Sequence, residues 1–390
     1  MSFKAQYSRF FAAHTARLHC APHSHHYWPD VTRAAQLAYW DDSAGGVDHK
    51  WDQIFGERVP AVQRQLADLL SIPDPTQFVF AANTHELLYR VLSCFDPAQP
   101  LNILTTDSEF HSFSRQVRRL SERPTVKVEV IPTEPFDTFA VRWLEAVKQH
   151  HHQLIFVSQV FYNSGVIGPE LTDWIAHVQA DATIVVDGYH GCGALPTSLA
   201  DVADRIFYLA GSYKYLQAGE GCCFMTVPRN CTLRPEYTGW FANFANLAKP
   251  QQAQVDYASD GFRFAGATMD FTALYRLQAV LDWWQKDGIT VASIHAHVQQ
   301  LQQAFRDALS EAQHPLLQCN HLLHHDLNHH GHFYTYRLPT TEQVTELAAQ
   351  LDQRGIATDY RANRLRFGFA MYHDVEDFAY LRDVLIQLKS

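Results

Sequence analysis

Ile206-Phe207-Tyr208-Leu209-Ala210-Gly211-Ser212-Tyr213-Lys214 is the stretch that decides the fold. Four bulky apolar residues in a row read as a strand covered on both faces. A lysine then stands just beyond the strand end, one of only eight in the chain. An ammonium held at the end of a buried strand is costly unless its pKa falls or it gains a covalent partner. Such a lysine suits Schiff-base chemistry. The ordinary alternative is a side chain that snorkels out of the sheet end.

Working outward, Ile184-Val185-Val186 is a second such strand and ends on Asp187, 27 residues earlier (214 − 187 = 27). That gap holds one connection and one strand, so both groups can reach one crevice. A buried carboxylate needs a cation or several donors, and a protonated pyridine nitrogen is one such cation. A helix cap or turn would use an aspartate equally well. Further strands are expected at 78–80, 102–105, 126–131, 154–157 and 222–225. Helices are expected at 57–70, 86–94, 109–120, 143–150 and 171–179. This alternation predicts an α/β fold, a mainly parallel central sheet flanked by helices. After residue 270 the texture shifts to long helical stretches with strands near 334–337 and 365–367, a smaller α+β unit. We expect a large domain over 50–275, and a small domain built from the arm 1–49 plus 276–390. The first 50 residues are aromatic and His-rich, without regular periodicity.

Ligands of open α/β sheets gather beyond the carboxyl ends of the strands. There the sequence sets Asn83, Thr84 and His85 at a strand-to-helix junction suited to a phosphate. Phe110 and His111 follow the next strand, and His190 follows Asp187. The 31 Lys and Arg against 41 Asp and Glu give a net charge of −10, which argues against a nucleic-acid partner. Apolar runs are too short for a membrane span or a signal peptide. Seven cysteines without a Cys-x-x-Cys spacing read as reduced thiols of a cytoplasmic protein. The runs His23–His26 and His321–His332 have no tight helical His-x-x-x-His with a carboxylate, so no metal is expected; the second run reads as solvated loop.

Two segments, Val185-Val186-Asp187-Gly188-Tyr189-His190-Gly191 and Gly211-Ser212-Tyr213-Lys214-Tyr215-Leu216-Gln217-Ala218-Gly219, resemble the signatures of kynureninase. Kynureninase belongs to the class V aminotransferase group of fold-type I pyridoxal phosphate (PLP) enzymes. Gly239-Trp240-Phe241, Gly266-Ala267-Thr268 and Arg364 to Tyr372 add weaker matches. The resemblance implies PLP as cofactor, with Lys214 as Schiff-base lysine and Cα general base. It implies Asp187 at the ring nitrogen, with His190 orienting Asp187 or the 3-oxygen side. Phe110 would stack on the ring, while Asn83, Thr84, the His85 backbone and Tyr213 hold the phosphate. Trp240 and Thr268 would face a partner's site, implying a homodimer with shared active sites. Arg366 would hold the substrate α-carboxylate, with His25 and Tyr372 as further substrate contacts.

The implied reaction is hydrolytic Cβ–Cγ cleavage of an amino acid, with Tyr213 as a catalytic proton donor. Class V transamination is the alternative, and a catalytically silent PLP-fold binding protein a third. Two departures stand out. Ala21-Pro22-His23-Ser24-His25-His26 replaces the family's Gly-Asn-Ser-Leu-Gly, which bears on the substrate pocket. No cysteine lies within 320–390, where cysteine desulfurases and selenocysteine lyases of the class carry their nucleophile.

Overall fold

A computed structural model describes residues 2–247, 250 and 253–389. Seven strands form the main sheet: β1 (Phe78–Ala81), β2 (Leu101–Thr106), β3 (Val126–Ile131), β4 (Leu154–Ser158), β5 (Thr183–Asp187), β6 (Ile206–Gly211) and β7 (Cys223–Thr226). Their order across the sheet is β1-β7-β6-β5-β4-β2-β3. Pairing is parallel from β6 through β3, and β7 runs antiparallel to both of its neighbours. Every residue of β4 and of β6 is buried. That is why these segments read as unbroken apolar runs rather than as alternating ones. The sheet fulfils the α/β expectation.

The register matters for function. Ser158 pairs with Asp187, and Asp187 with Leu209, so β4, β5 and β6 end level with one another. A smaller antiparallel sheet, β9-β10-β8, holds β8 (Phe333–Arg337), β9 (Asp359–Arg361) and β10 (Arg364–Gly368). One hydrophobic core lies around the main sheet, and a second joins the small sheet to its helices and to Leu18 and Cys20 of the arm. The helix Thr272–Lys286 packs into the first core. The next helix, Val291–Ala312, changes core between Ile294 and Val298. The two-unit division remains our proposal, with this helix as the bridge.

Three local expectations need correction. The arm is not irregular: Val31–Gly46 is a 16-residue helix. Its signal is weak because the side packed on the main core offers only Val31, Ala35, Ala38 and Tyr39, while Leu37 and Trp40 on the other side lie exposed (52% and 69%). The helix expected at 171–179 stops at Ile175. The 321–332 histidines are not uniformly solvated: His324, His330 and His332 are buried. The His330 ring bonds the His324 carbonyl at 2.8 Å, and His332 meets His295 at 3.1 Å. Among the described residues no helix is long and apolar enough to cross a membrane.

Candidate active site

A cavity of about 480 Å³ opens at the carboxyl ends of β1, β4, β5 and β6. Asn83, Thr84, His85, Phe110, Asp187, His190, Tyr213 and Lys214 all line it. Residues from several separate sequence segments thus meet in one crevice. Each sits there for a local reason. Asn83 caps the helix Thr84–Leu92, its side-chain oxygen accepting the Glu86 N–H at 3.0 Å. The first turn of that helix therefore faces the cavity with its amides. Asp187 and Lys214 come from the level ends of β5 and β6.

Lys214 is 5% exposed, and its Nζ lies 2.6 Å from His190 Nε2. Burial pulls its pKa down to about 7, against the opposing pull of Asp187. Burial also keeps His190 neutral, with a pKa well below the usual 6.5. The ammonium sits 4.9 Å from the centre of the Tyr189 ring, 5.6 Å from Tyr213 and 5.7 Å from Phe110. Asp187 accepts the Tyr189 N–H at 2.9 Å, and burial raises its pKa.

The donor set fits PLP. His190 Nδ1 is buried and has no partner in the protein. The Asp187 carboxylate, raised by burial, gains most from a cationic N–H placed in the cavity. Thr84, His85 and Tyr213 also line the cavity and can offer donors, and the helix N-terminus there favours an anion. Asp187 and His190 would hold the ring, and the Asn83–His85 junction with Tyr213 the phosphate.

The remaining predicted residues sit elsewhere. Arg366 is just behind the wall: its Nη1 donates to the Tyr162 carbonyl at 2.6 Å, and Tyr162 lines the cavity. Trp240 donates to Thr268 Oγ1 at 3.2 Å in an exposed pair outside the cavity. The homodimer proposal puts the partner over that exposed pair. His25 is exposed and reaches the Tyr213 ring only at 6.1 Å. Tyr372 is fully buried, stacked on Tyr27 and bonded to His19 Nδ1 at 2.7 Å, so it does not line the cavity. The arm residue placed toward Arg366 is His23 instead. It is 1% exposed, stacks on Phe333 at 4.5 Å, and leaves both ring nitrogens without a hydrogen bond.

Two carboxyl groups escaped the sequence reading. Asp359 forms a buried ion pair with Arg366 across the β9–β10 register and lies 3.7 Å from His23 Nε2. Glu109 is buried between Thr106 Oγ1 at 2.7 Å and Ser158 Oγ at 2.5 Å. Burial, with Asp187 nearby, raises the Glu109 pKa to about 8, so it is a neutral acid below that pH. Asp359 carried no sequence signal, because only strand pairing brings it to Arg366. Glu109 had a faint one, since it directly precedes Phe110 at a strand end.

Comparison with known proteins places these features. A curated cysteine desulfurase from Enterobacter sp. (strain 638) is 26% identical over 234 residues, 58% of this chain. The match takes in only 56% of that relative, so the chain spans about half the length of the relative it matches. Among solved structures, a lysine-to-alanine mutant of C-DES, with glycine covalently linked to its PLP cofactor, superposes with a TM-score of 0.82 at 18% identity over 99% of both chains. The cysteine desulfurase CsdA of Escherichia coli gives 0.81 at 18% identity, over 99% of this chain and 98% of that one. These likenesses carry the fold-type I architecture, and they do not support the kynureninase specificity that the lysine segment suggested. The aminotransferase class-V family model matches residues 26–380. The chain therefore belongs to the aminotransferase class-V family, enzymes that work with pyridoxal phosphate.

Proposed function

We propose that this enzyme cleaves the side chain of an α-amino acid, by kynureninase-like hydrolysis of a Cβ–Cγ bond in an aryl-oxo amino acid. The observation that carries the reading is the pairing of Lys214 with Tyr213 in a cavity walled by Phe110, Tyr162 and Tyr189. Aromatic walls suit an aryl side chain. When bound, PLP supplies an electron sink for charge left at the substrate Cα. Asp187 would hold the protonated ring nitrogen, and His190, 2.6 Å from Nζ, orients Lys214. Burial lowers the Lys214 pKa and so favours the uncharged amine, which takes the Cα proton. Burial pushes the Tyr213 phenol up to about 12, so it keeps its proton, gives it to the γ-carbonyl oxygen as a water adds to Cγ, and regains one from that water before the Cβ–Cγ bond breaks to leave the carboxylic acid. Arg366 holds the α-carboxylate and so fixes which Cα bond lies ready to break. We assign His25, exposed and 6.1 Å from the Tyr213 ring, to the substrate side chain, and Tyr372 no contact.

A second reading, C–S cleavage of a cysteine-class amino acid, is favoured by the curated cysteine desulfurase relative. It needs an acceptor for sulfur. Cys223 is the cysteine that lines the cavity, and burial pushes its thiol up to about 11, so little thiolate is present at neutral pH. A solved relative, the cystine C-S lyase C-DES, is described with cysteine persulfide as its reaction product. By that route a disulfide substrate would need no protein thiol. Transamination is the third outcome.

One assay separates them. Holoenzyme is mixed with kynurenine, 3-hydroxykynurenine, cysteine and cystine, with and without an oxo acid. Alanine with an anthranilate, independent of oxo acid, supports hydrolysis. Sulfide or persulfide from cysteine or cystine replaces that reading with C–S cleavage, and turnover only with an oxo acid makes it a transaminase. No turnover, and no spectral change with any amino acid, would leave a silent binding protein.

A further inference from the structure

At the amino end of the main sheet, far from the cavity, three potential metal ligands converge. The helix Phe139–Gln149 stops at His150, whose extended backbone (φ −127°, ψ 152°) starts a short segment leading into β4. In extended chain, residues two apart point the same way. His150 and His152 therefore share a side, while His151 turns to Asp181 at 3.0 Å. They face the edge strand β3, which presents Glu129. His150 Nδ1 lies 3.0 Å and His152 Nε2 2.9 Å from the same carboxylate oxygen, Glu129 Oε2. All three ligand atoms fall within 4.8 Å of one another. The His152 side chain is only 3% exposed, Glu129 is 34% exposed and His150 60%, so one ligand is fixed and the cluster opens to solvent.

We propose that Glu129, His150 and His152 form a binding site for a divalent transition-metal ion of the zinc class. Two imidazoles and a carboxylate suit Zn²⁺, Ni²⁺ or Cu²⁺ rather than Mg²⁺ or Ca²⁺, which take oxygen ligands. Metal–ligand bonds of about 2.0–2.1 Å at tetrahedral angles set neighbouring ligand atoms about 3.3 Å apart. The two nitrogen–oxygen separations need to widen by only a few tenths of an ångström to admit the ion. Three protein ligands leave the fourth position to water. The cavity lies at the other end of β4: Ser158 is six residues beyond His152, about 20 Å of strand. The ion would therefore clip the connection before β4 to the sheet edge and take no part in the chemistry. The expectation of no metal rests on the 23–26 and 321–332 runs, which are separate from this one.

The test uses the full-length holoenzyme without an affinity tag. It is equilibrated by dialysis against Zn²⁺, and bound metal is counted by elemental analysis. Wild type should hold one equivalent more than Glu129→Gln and than His150→Gln/His152→Gln. At 100 times Kd, Zn²⁺ should raise the melting temperature by about 3 °C in wild type and not in the variants. His325→Gln/His329→Gln should retain the full count. Glu129→Gln alters a partly exposed side chain at the sheet edge, and thus keeps the test decisive if the double variant folds poorly. Equal zinc in wild type and Glu129→Gln overturns the proposal, as does less than half an equivalent in wild type.

Discussion

Arg366 and Asp359 offer the sharpest test of the substrate end of the site. Their side chains are 4% and 13% exposed, and the β9–β10 register holds them opposite one another. Besides Asp359, the guanidinium has the Tyr162 carbonyl at 2.6 Å, while its Nε is buried without a partner. Asp359→Asn keeps the shape and one acceptor but removes the countercharge. Leaving one member of a buried pair uncompensated costs about 3–5 kcal/mol, and the retained amide oxygen argues for the lower end. Unfolding entropy of about 2.1 cal/mol/K per residue sums to about 0.8 kcal/mol/K for this length. A cost of about 3 kcal/mol thus becomes a fall of about 4 °C in melting temperature. If Arg366 is the carboxylate holder, an added small carboxylate replaces the missing charge. Glycine or acetate should then raise the melting temperature of Asp359→Asn by more than that of wild type. Differential scanning calorimetry on both proteins, with and without ligand, gives the four numbers required. An unchanged melting temperature for the variant refutes the burial argument. Equal ligand shifts in the two proteins refute the role of Arg366 in carboxylate binding.

Lys214→Ala, reconstituted with PLP, should lose the visible absorption of lysine-linked cofactor and its turnover; a wild-type protein that never develops that band with added PLP would falsify the cofactor assignment. Glu109 binds its proton more tightly folded (pKa about 8) than unfolded (4.5), so the folded state carries more protons between these values. Stability should therefore fall as pH rises through that window, by up to about 1.4 kcal/mol per unit, and level off above about pH 8. Denaturation across pH should show a shallower slope for Glu109→Gln, and parallel curves would contradict the buried neutral acid. Trp240→Ala/Thr268→Ala should shift sedimentation at micromolar concentration from dimer toward monomer. An active wild-type monomer under the same conditions rules out shared sites.

The resemblance carried by Asp187, His190 and Ser212–Gly219 proved a guide to the family and the cofactor, and a poor guide to the relatives' reaction. Those segments line the cavity that would hold the cofactor, which the whole class shares. The arm, where Ala21–His26 replaces the family's segment, is where this chain departs from the pattern. The same split explains His25 and His23. The sequence offered a run of histidines, and only the packing of the arm against Phe333 decides which of them turns inward.

Local chemistry was enough for much of the fold. Apolar runs such as Ile184–Val186 and Ile206–Leu209 read as strands covered on both faces, and polar groups right after such strands gather at one edge of a parallel sheet. That placed Asn83, Thr84, His85, Phe110, Asp187, His190, Tyr213 and Lys214 together from the sequence alone. What the tertiary structure decided are contacts whose partners are set by strand register and domain packing. Asp359 meets Arg366 through a three-residue antiparallel ladder. Glu109 meets Ser158 from 49 residues away, and Glu129 meets His152 from 23. Nothing in the spacing of these residues signals the contact. A side chain's neighbours across a sheet depend on which strands lie side by side, and that follows from burying the whole core rather than from any local stretch.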